Sequence, residues 1–218
     1  RDRSPSRGLG DVYKRQVQSF IRKNCLESWQ FYVNAKRKGW KQNFMEGLRK
    51  AAGDILFPCD QDDIWYPKKL AEMTAVMEQH PEIKLLACDY RVIYESGALK
   101  ATVYKKTPAE TQGLITRYGF TKHFFMNPYP GCTYAVRRDF FDAVKELWFD
   151  GSPHDEFLWL MAAVQDGAWF YNRVLMDYVR YSDNASGVRY KDVALQKENL
   201  RYIHKQLCAL QSFAAEHP

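Results

Sequence analysis

An α/β domain with a mixed, mainly parallel sheet and flanking helices is what this 218-residue sequence predicts. The first reason is the alternation of short apolar runs with amphipathic helical stretches, the order from which parallel sheets are built. The second is composition. At 46% hydrophobic and 15% aromatic residues the chain can fill a substantial core, and no low-complexity tract interrupts it. The third is the length of its apolar runs. The longest uncharged one, Phe157 to Val164, is far short of the roughly 20 residues that cross a bilayer, and no apolar leader lies near the N-terminus. A cytoplasmic domain is the expectation.

Taken in order, the opening RDRSPSRGLGDVYKRQ is basic, aperiodic and reads as a tail, residues 1–16. The domain is expected from residue 17 to residue 218. Without the tail's five basic and two acidic residues the net charge falls from +6 to +3, which weakens any case for a nucleic-acid partner. The helix-like VQSFIRKNCLESW follows, then FYVNA (31–35) as a short β-type run. NFMEGLRKAAGD predicts an amphipathic helix with Asn43 as N-cap and Gly53 as its stop, and ILFPC a second strand. Pro67 fits the first turn of a helix running to about His80, where its missing N–H is no loss. IKLLACDYRVIY reads as a strand, with Leu85, Ala87 and Asp89 alternating against Leu86, Cys88 and Tyr90. Residues 190–218 form one long amphipathic helix whose apolar stripe is Val193, Leu200, Ile203 and Leu207. Packing against the domain is the favoured use of that stripe, and contact with an anionic membrane surface the other. The five cysteines, Cys25, Cys59, Cys88, Cys132 and Cys208, are widely spaced without a C-x-x-C pair and read as reduced thiols.

Three carboxylates, Asp60, Asp62 and Asp63, directly follow ILFPC. In sheets of this kind ligands bind beyond the carboxyl ends of the strands. Crowded carboxylates repel one another, and a hard divalent cation, Mg²⁺ or Mn²⁺, relieves that repulsion. Mg²⁺ typically takes one or two protein carboxylates and completes its shell with water and phosphate oxygens, so a phosphate ester or diphosphate substrate follows. The calcium-loop pattern D-x-[DN]-x-[DN]-G is absent. On the residues alone, Asp63 capping the next helix with Asp60 and Asp62 solvated is an equal reading. Likewise Asp155 and Glu156 complement a helix N-terminal dipole behind Pro153. Trp65 and Tyr66 are packing residues or a stacking surface, and Gly131 admits either a tight turn or a ligand's close approach. His154 has no second histidine at i+4, so zinc is not supported.

NFMEGLRKAAGDILFPCDQDDIWYPKKL resembles the central segment of the family 2 glycosyltransferases, inverting enzymes of the GT-A fold, and most resembles the rhamnosyltransferase-like branch. PGCTYAVRRDFFD, HDEFLWLMAAVQDGAWFYNRVLMDY and YVRYSDNASG continue the resemblance in order, over roughly residues 17 to 190. It implies a Rossmann-like nucleotide-diphospho-sugar transferase. Asp60 and Asp62 would then contact the nucleotide ribose and the diphosphate-bound metal, with Asp63 as adjacent support and Trp65 at the donor pocket. Asp155 would be the catalytic base, with Glu156 the lesser candidate. Tyr181 stands where relatives carry a metal-binding histidine, which leaves Asp183 as substitute metal ligand or Arg180 as a direct partner of the diphosphate.

The resemblance also implies a missing part. Relatives begin with a strand–helix–strand unit that holds the nucleotide base, and nothing before Val17 matches it. The end of the tail, DVYKRQ, resembles the translation of a sequencing-library adapter, so the sequence is expected to be N-terminally truncated, from a metagenomic bacterial gene. Losing the first strand is expected to leave ILFPC without a neighbour, to impair folding, and to leave this chain alone with little transfer activity. The expected function is an inverting, metal-dependent glycosyltransferase. It would move a sugar, hexosyl or rhamnosyl, from a nucleotide-sugar donor to a hydroxyl of a cell-surface polysaccharide or lipid-linked glycan, with peripheral contact at the inner membrane surface. The alternative is a non-catalytic GT-A-like binding or scaffold domain.

Overall fold

The computed structural model describes residues 7–94, 111–118, 127–180 and 193–216. The chain divides into two compact units, Arg1–Lys38 and Gly39–Pro218.

In the first unit, helix α1 spans Arg7–Lys23, so the expected tail boundary at residue 16 falls inside a helix. Cys25 (φ 51°) follows in the left-handed region, where the Leu26 N–H reaches back to the Ile21 carbonyl at 3.1 Å. Phe20 and Trp29 pack with ring centroids 6.5 Å apart. FYVNA forms no strand. Its Tyr32 and Val33 are 55% and 52% exposed, and β propensity without a buried face does not make a strand.

The second unit opens with α2, Trp40–Lys50, whose N-cap is Gly39 rather than Asn43. Gly39 has φ +80°, a conformation that favours glycine, and its carbonyl accepts the Asn43 N–H at 3.1 Å. The helix ends at Lys50, short of Gly53, because Ala51 turns extended. Strand β1, Ile55–Leu56, is followed by β2, Ile64–Trp65, and by α3, Lys69–Gln79. Pro67 lies just outside α3, whose N-cap is Lys68. After β3 (Leu85–Tyr94) come β4 (Ile115–Arg117), a 3₁₀ turn at Gly131–Thr133, β5 (Tyr134–Arg137) and α4 (Arg138–Val144). Helix α5 (His154–Ala163), β6 (Ala168–Arg180) and α6 (Val193–Glu216) complete the order.

The sheet runs β1-β5-β3-β6-β2, with β4 also paired to β6. Parallel pairing belongs to its long centre, β3 with β6, from Leu85↔Ala168 to Tyr94↔Arg180. The other described pairs are antiparallel, so the parallel character expected of the whole sheet is confined to that pair. β1 is not left without a neighbour: it pairs with β5, Ile55↔Arg137 and Leu56↔Val136.

The alternation read in β3 separates the core into two layers. Leu85 and Ala87 join Met45, Leu48, Tyr134, Phe141 and the residues of α5 on one face. Leu86 and Cys88 join Met73, Met77, Ala135 and Met176 on the other. Burial on both faces at about 25 cal/mol per Å² of apolar area is what holds the central strands between helical layers. Helix α6 packs through Gln206, Ala209 and Phe213. The stripe expected to pack is turned outward instead, with Leu200 66%, Ile203 38% and Leu207 46% exposed.

This topology stretches one loop. β1 and β2 lie at opposite ends of the sheet order, so residues 57–63 cross four strand spacings, at most roughly 19 Å. Both ends are anchored, β1 by β5 and β2 by β6. Beyond β2, the Tyr66 hydroxyl donates to Asp177 Oδ1 at 2.7 Å, and Arg91 grips both Asp177 oxygens at 2.7 and 2.8 Å.

Candidate active site

The crossing loop carries the acidic cluster. Asp60, Asp62 and Asp63 are each partly buried. Burial, then the charges of Asp63, Asp62 and Asp155, pushes Asp60 up to about 6. Asp63 is also raised, by burial first, while the Cys132 thiol and the Val179 N–H favour its charged form. That N–H donates to Asp63 Oδ1 at 3.1 Å, whereas Oδ2 is buried without a hydrogen-bond partner. Ligand atoms of Asp60, Asp63 and Cys132 lie within 4.8 Å of one another. Asp62 stands outside that triplet and acts on Asp60 and Asp63 through its charge.

A buried carboxylate oxygen with no partner, beside a second carboxylate, fits a divalent cation. Cys132 suits a hard ion poorly. Burial and the neighbouring Asp63 hold its thiol far above the usual range, which leaves the carboxylate oxygens as the donors suited to such an ion.

Asp155 comes from the first turn of α5. Burial raises it, while the N–H groups of Glu156, Asp155 itself and Gly131, and the charge of Lys41, favour ionisation. The Glu156 N–H donates to Asp155 Oδ1 at 3.0 Å. Asp155 appears among the charges acting on Asp60, so the two motifs, far apart in the chain, share one electrostatic site. The hinge between them is the 3₁₀ turn. A Cβ on Gly131 would stand 2.5 Å from His154 Nε2 and 2.9 Å from Asp155 Cβ. Gly131 therefore serves the close approach of the turn to α5, which neither sequence reading anticipated.

Glu156 has a different occupation. Its Oε2 accepts the Tyr202 hydroxyl of α6 at 2.7 Å, and that hydroxyl in turn accepts Gln206 Nε2 at 2.6 Å and contacts Ser152 Oγ at 3.3 Å. His154 is buried with neither ring nitrogen hydrogen-bonded, stacked on Phe44 at 4.1 Å. Burial lowers it to about 3, so it is neutral packing. Trp65 is partly buried against the core layer that holds Met73 and Met77, edge-on to Phe57 at 6.2 Å. Arg180 ends β6, next to the Val179 that binds Asp63, with its guanidinium 5.9 Å from the Tyr178 ring. Tyr181 and Asp183 lie outside the described residues.

Two residues escaped the sequence reading. Lys41 donates to the Gly151 carbonyl at 2.5 Å and its charge acts on both Asp155 and Glu156. Lys69 is fully buried. Its signal was present: it sits at i, i+4, i+8 spacing with Met73 and Met77, on the apolar face of α3.

Residues 16–143, more than half of the chain, match glycosyl transferase family 2. Two mycobacterial relatives, the uncharacterized proteins Rv1520 of Mycobacterium tuberculosis and Mb1547 of Mycobacterium bovis, are each 39% identical over 61 residues. The match covers 28% of this chain and only 18% of theirs. Among solved structures, TarS 1-349 of S. aureus in complex with UDP-GlcNAc superposes with a TM-score of 0.51 at 11% identity, over 72% of this chain and 44% of that one. The folds agree. The chain belongs to glycosyl transferase family 2 and has the GT-A fold.

Proposed function

We propose that this domain is the transfer module of an inverting, metal-dependent enzyme that moves a sugar, hexosyl or rhamnosyl, from a nucleotide-sugar donor to a glycan hydroxyl. One observation carries the reading: the buried, unpartnered oxygen of Asp63 beside Asp60, in a cluster electrostatically coupled to Asp155. TarS, described in complex with UDP-GlcNAc, supports the donor class.

In the reaction, the acceptor oxygen attacks the anomeric carbon, the bond from that carbon to the diphosphate oxygen breaks, and the electron pair leaves with the nucleoside diphosphate. The acceptor's proton passes to the Asp155 carboxylate. A carboxylate raised by burial yet held by backbone N–H groups is suited to accept it. Asp60 and Asp63, with Asp62 alongside, would hold Mg²⁺ or Mn²⁺, which when bound neutralises charge growing on the leaving diphosphate. Arg180, at the edge of the cluster, would pair with phosphate oxygens. Glu156, bonded to Tyr202, ties α5 to α6 and is not the base.

The acceptor we infer is a cell-surface polysaccharide or lipid-linked glycan at the cytoplasmic face of the membrane. The outward stripe Leu200, Ile203 and Leu207, on the same helix as Arg201 and Lys205, supports peripheral contact with an anionic bilayer. No described helix is long and apolar enough to cross a membrane.

Calorimetric titration with UDP, with and without Mn²⁺, tests the reading. The expected result is Mn²⁺-dependent binding that disappears in Asp63→Asn. Binding without any need for metal, or unchanged in that variant, overturns it in favour of a non-catalytic binding domain.

A further inference from the structure

Lys69 is fully buried, and it sits at the first residue of α3. Both facts are unfavourable for a cation, since burial removes its hydration and the unpaired N–H groups of a helix start already carry partial positive charge. Its Nζ donates to the Cys132 carbonyl, lies 3.3 Å from Met176 Sδ and stands 4.1 Å from the centre of the Trp65 ring. These contacts fix its place. None of them supplies an opposite charge.

The groups that act on its charge are Cys88, Cys132, Cys59 and Asp63. The three thiols are all raised by burial, Cys88 to about 12, and remain neutral. The Cys132 whose carbonyl receives Nζ has its thiol within 4.8 Å of carboxylate oxygens of Asp60 and Asp63, and Asp63 is the carboxylate among the groups that act on Lys69. The same Cys132 that receives the ammonium on its carbonyl belongs to the buried turn that carries Gly131 and meets Asp155.

We propose that Lys69 is a built-in counter-cation of the acidic cluster, a positioning residue that keeps Asp60 and Asp63 assembled before a divalent ion arrives. Its fixed positive charge weakens the cluster's own hold on that ion. Divalent binding then depends on the added charge of a diphosphate. The inference rests on the metal reading given above and extends it to a residue that touches neither metal nor substrate.

The charge, not the packing, makes the prediction. Replacing Lys69 by methionine keeps the length and removes the like charge, so Mn²⁺ alone should bind about tenfold more tightly. Lys69→Gln, which retains a donor for the Cys132 carbonyl, should shift affinity in the same direction and serves if the methionine variant does not fold. Binding is read from the loss of the free Mn²⁺ signal in electron paramagnetic resonance, with folding checked by circular dichroism. A purely structural lysine would lower the melting temperature and leave Mn²⁺ affinity unchanged or weaker, and either result in a folded variant overturns the proposal. If the unaltered chain binds no Mn²⁺ while Lys69→Met does, the counter-cation role stands in its strongest form. If neither binds, the metal reading falls and this one with it.

Discussion

The acidic loop and the first turn of α5 both hold carboxylates out of water, in opposite ways. In the loop, Asp60 and Asp63 lie together under the charge of Asp62, and one buried oxygen of Asp63 has no hydrogen-bond partner. At the helix, Asp155 is surrounded by N–H groups of its own backbone, Glu156 and Gly131. The first arrangement leaves a carboxylate oxygen without a hydrogen-bond partner, which under the proposed function a divalent cation takes up. The second has the donors that stabilise an ionised carboxylate while burial keeps it basic, as a proton acceptor requires. Under the proposed function, two sites of the same residue type thus take different parts because their partners differ.

That contrast can be broken at its strongest point first. Asp155→Asn should lower the rate of sugar transfer by about 10² to 10⁴ with donor binding retained, measured by steady-state transfer and nucleotide titration. Retained transfer would return the base role to another group. Gly131→Ala attacks the joint between the two regions, because the new methyl would overlap His154 and Asp155. A loss of about 1–3 kcal/mol in denaturant unfolding is expected, together with reduced transfer.

Next comes the neutral histidine beside the base. His154 is lowered to about 3 in the fold by burial, so below about 6.5 the unfolded chain binds a proton that the native one does not. Stability contributed by the neutral ring is present above that value and falls by about 1.4 kcal/mol per pH unit toward pH 3. Urea unfolding between pH 6 and 4 should show this slope, and His154→Leu should flatten it by that amount. The smallest effect belongs to Tyr202→Phe, which removes the hydroxyl from Glu156. About 1 kcal/mol of stability should be lost, with transfer per folded molecule unchanged. A large loss of transfer would give Glu156 a larger part than the comparison assigns.

Much of this was legible in the sequence, for identifiable reasons. The β3 alternation separates the two core layers because pleat and burial share a period of two. The acidic loop after β1 and Asp155 at a helix start were readable because strand and helix ends leave clear marks. FYVNA was misread because strand propensity says nothing about whether a partner strand exists. The outward stripe of α6 was misread because helical spacing identifies an apolar face but not which of two faces is covered. Within the loop, D-x-D spacing singled out Asp60 and Asp62, whereas the structure brings Asp60 to Asp63 and Cys132. Irregular backbone has no period from which side-chain direction can be read. The link between Glu156 and Tyr202 joins residues 46 positions apart and leaves no local trace.

The central claim is that the acidic loop receives a cation and α5 receives a proton. Titrating UDP into the unaltered chain, Asp63→Asn and Asp155→Asn in the presence of Mn²⁺ tests it most directly. The account predicts that Asp155→Asn binds like the unaltered chain while Asp63→Asn loses binding by about tenfold or more. Equal loss in both variants, or loss confined to Asp155→Asn, would contradict it.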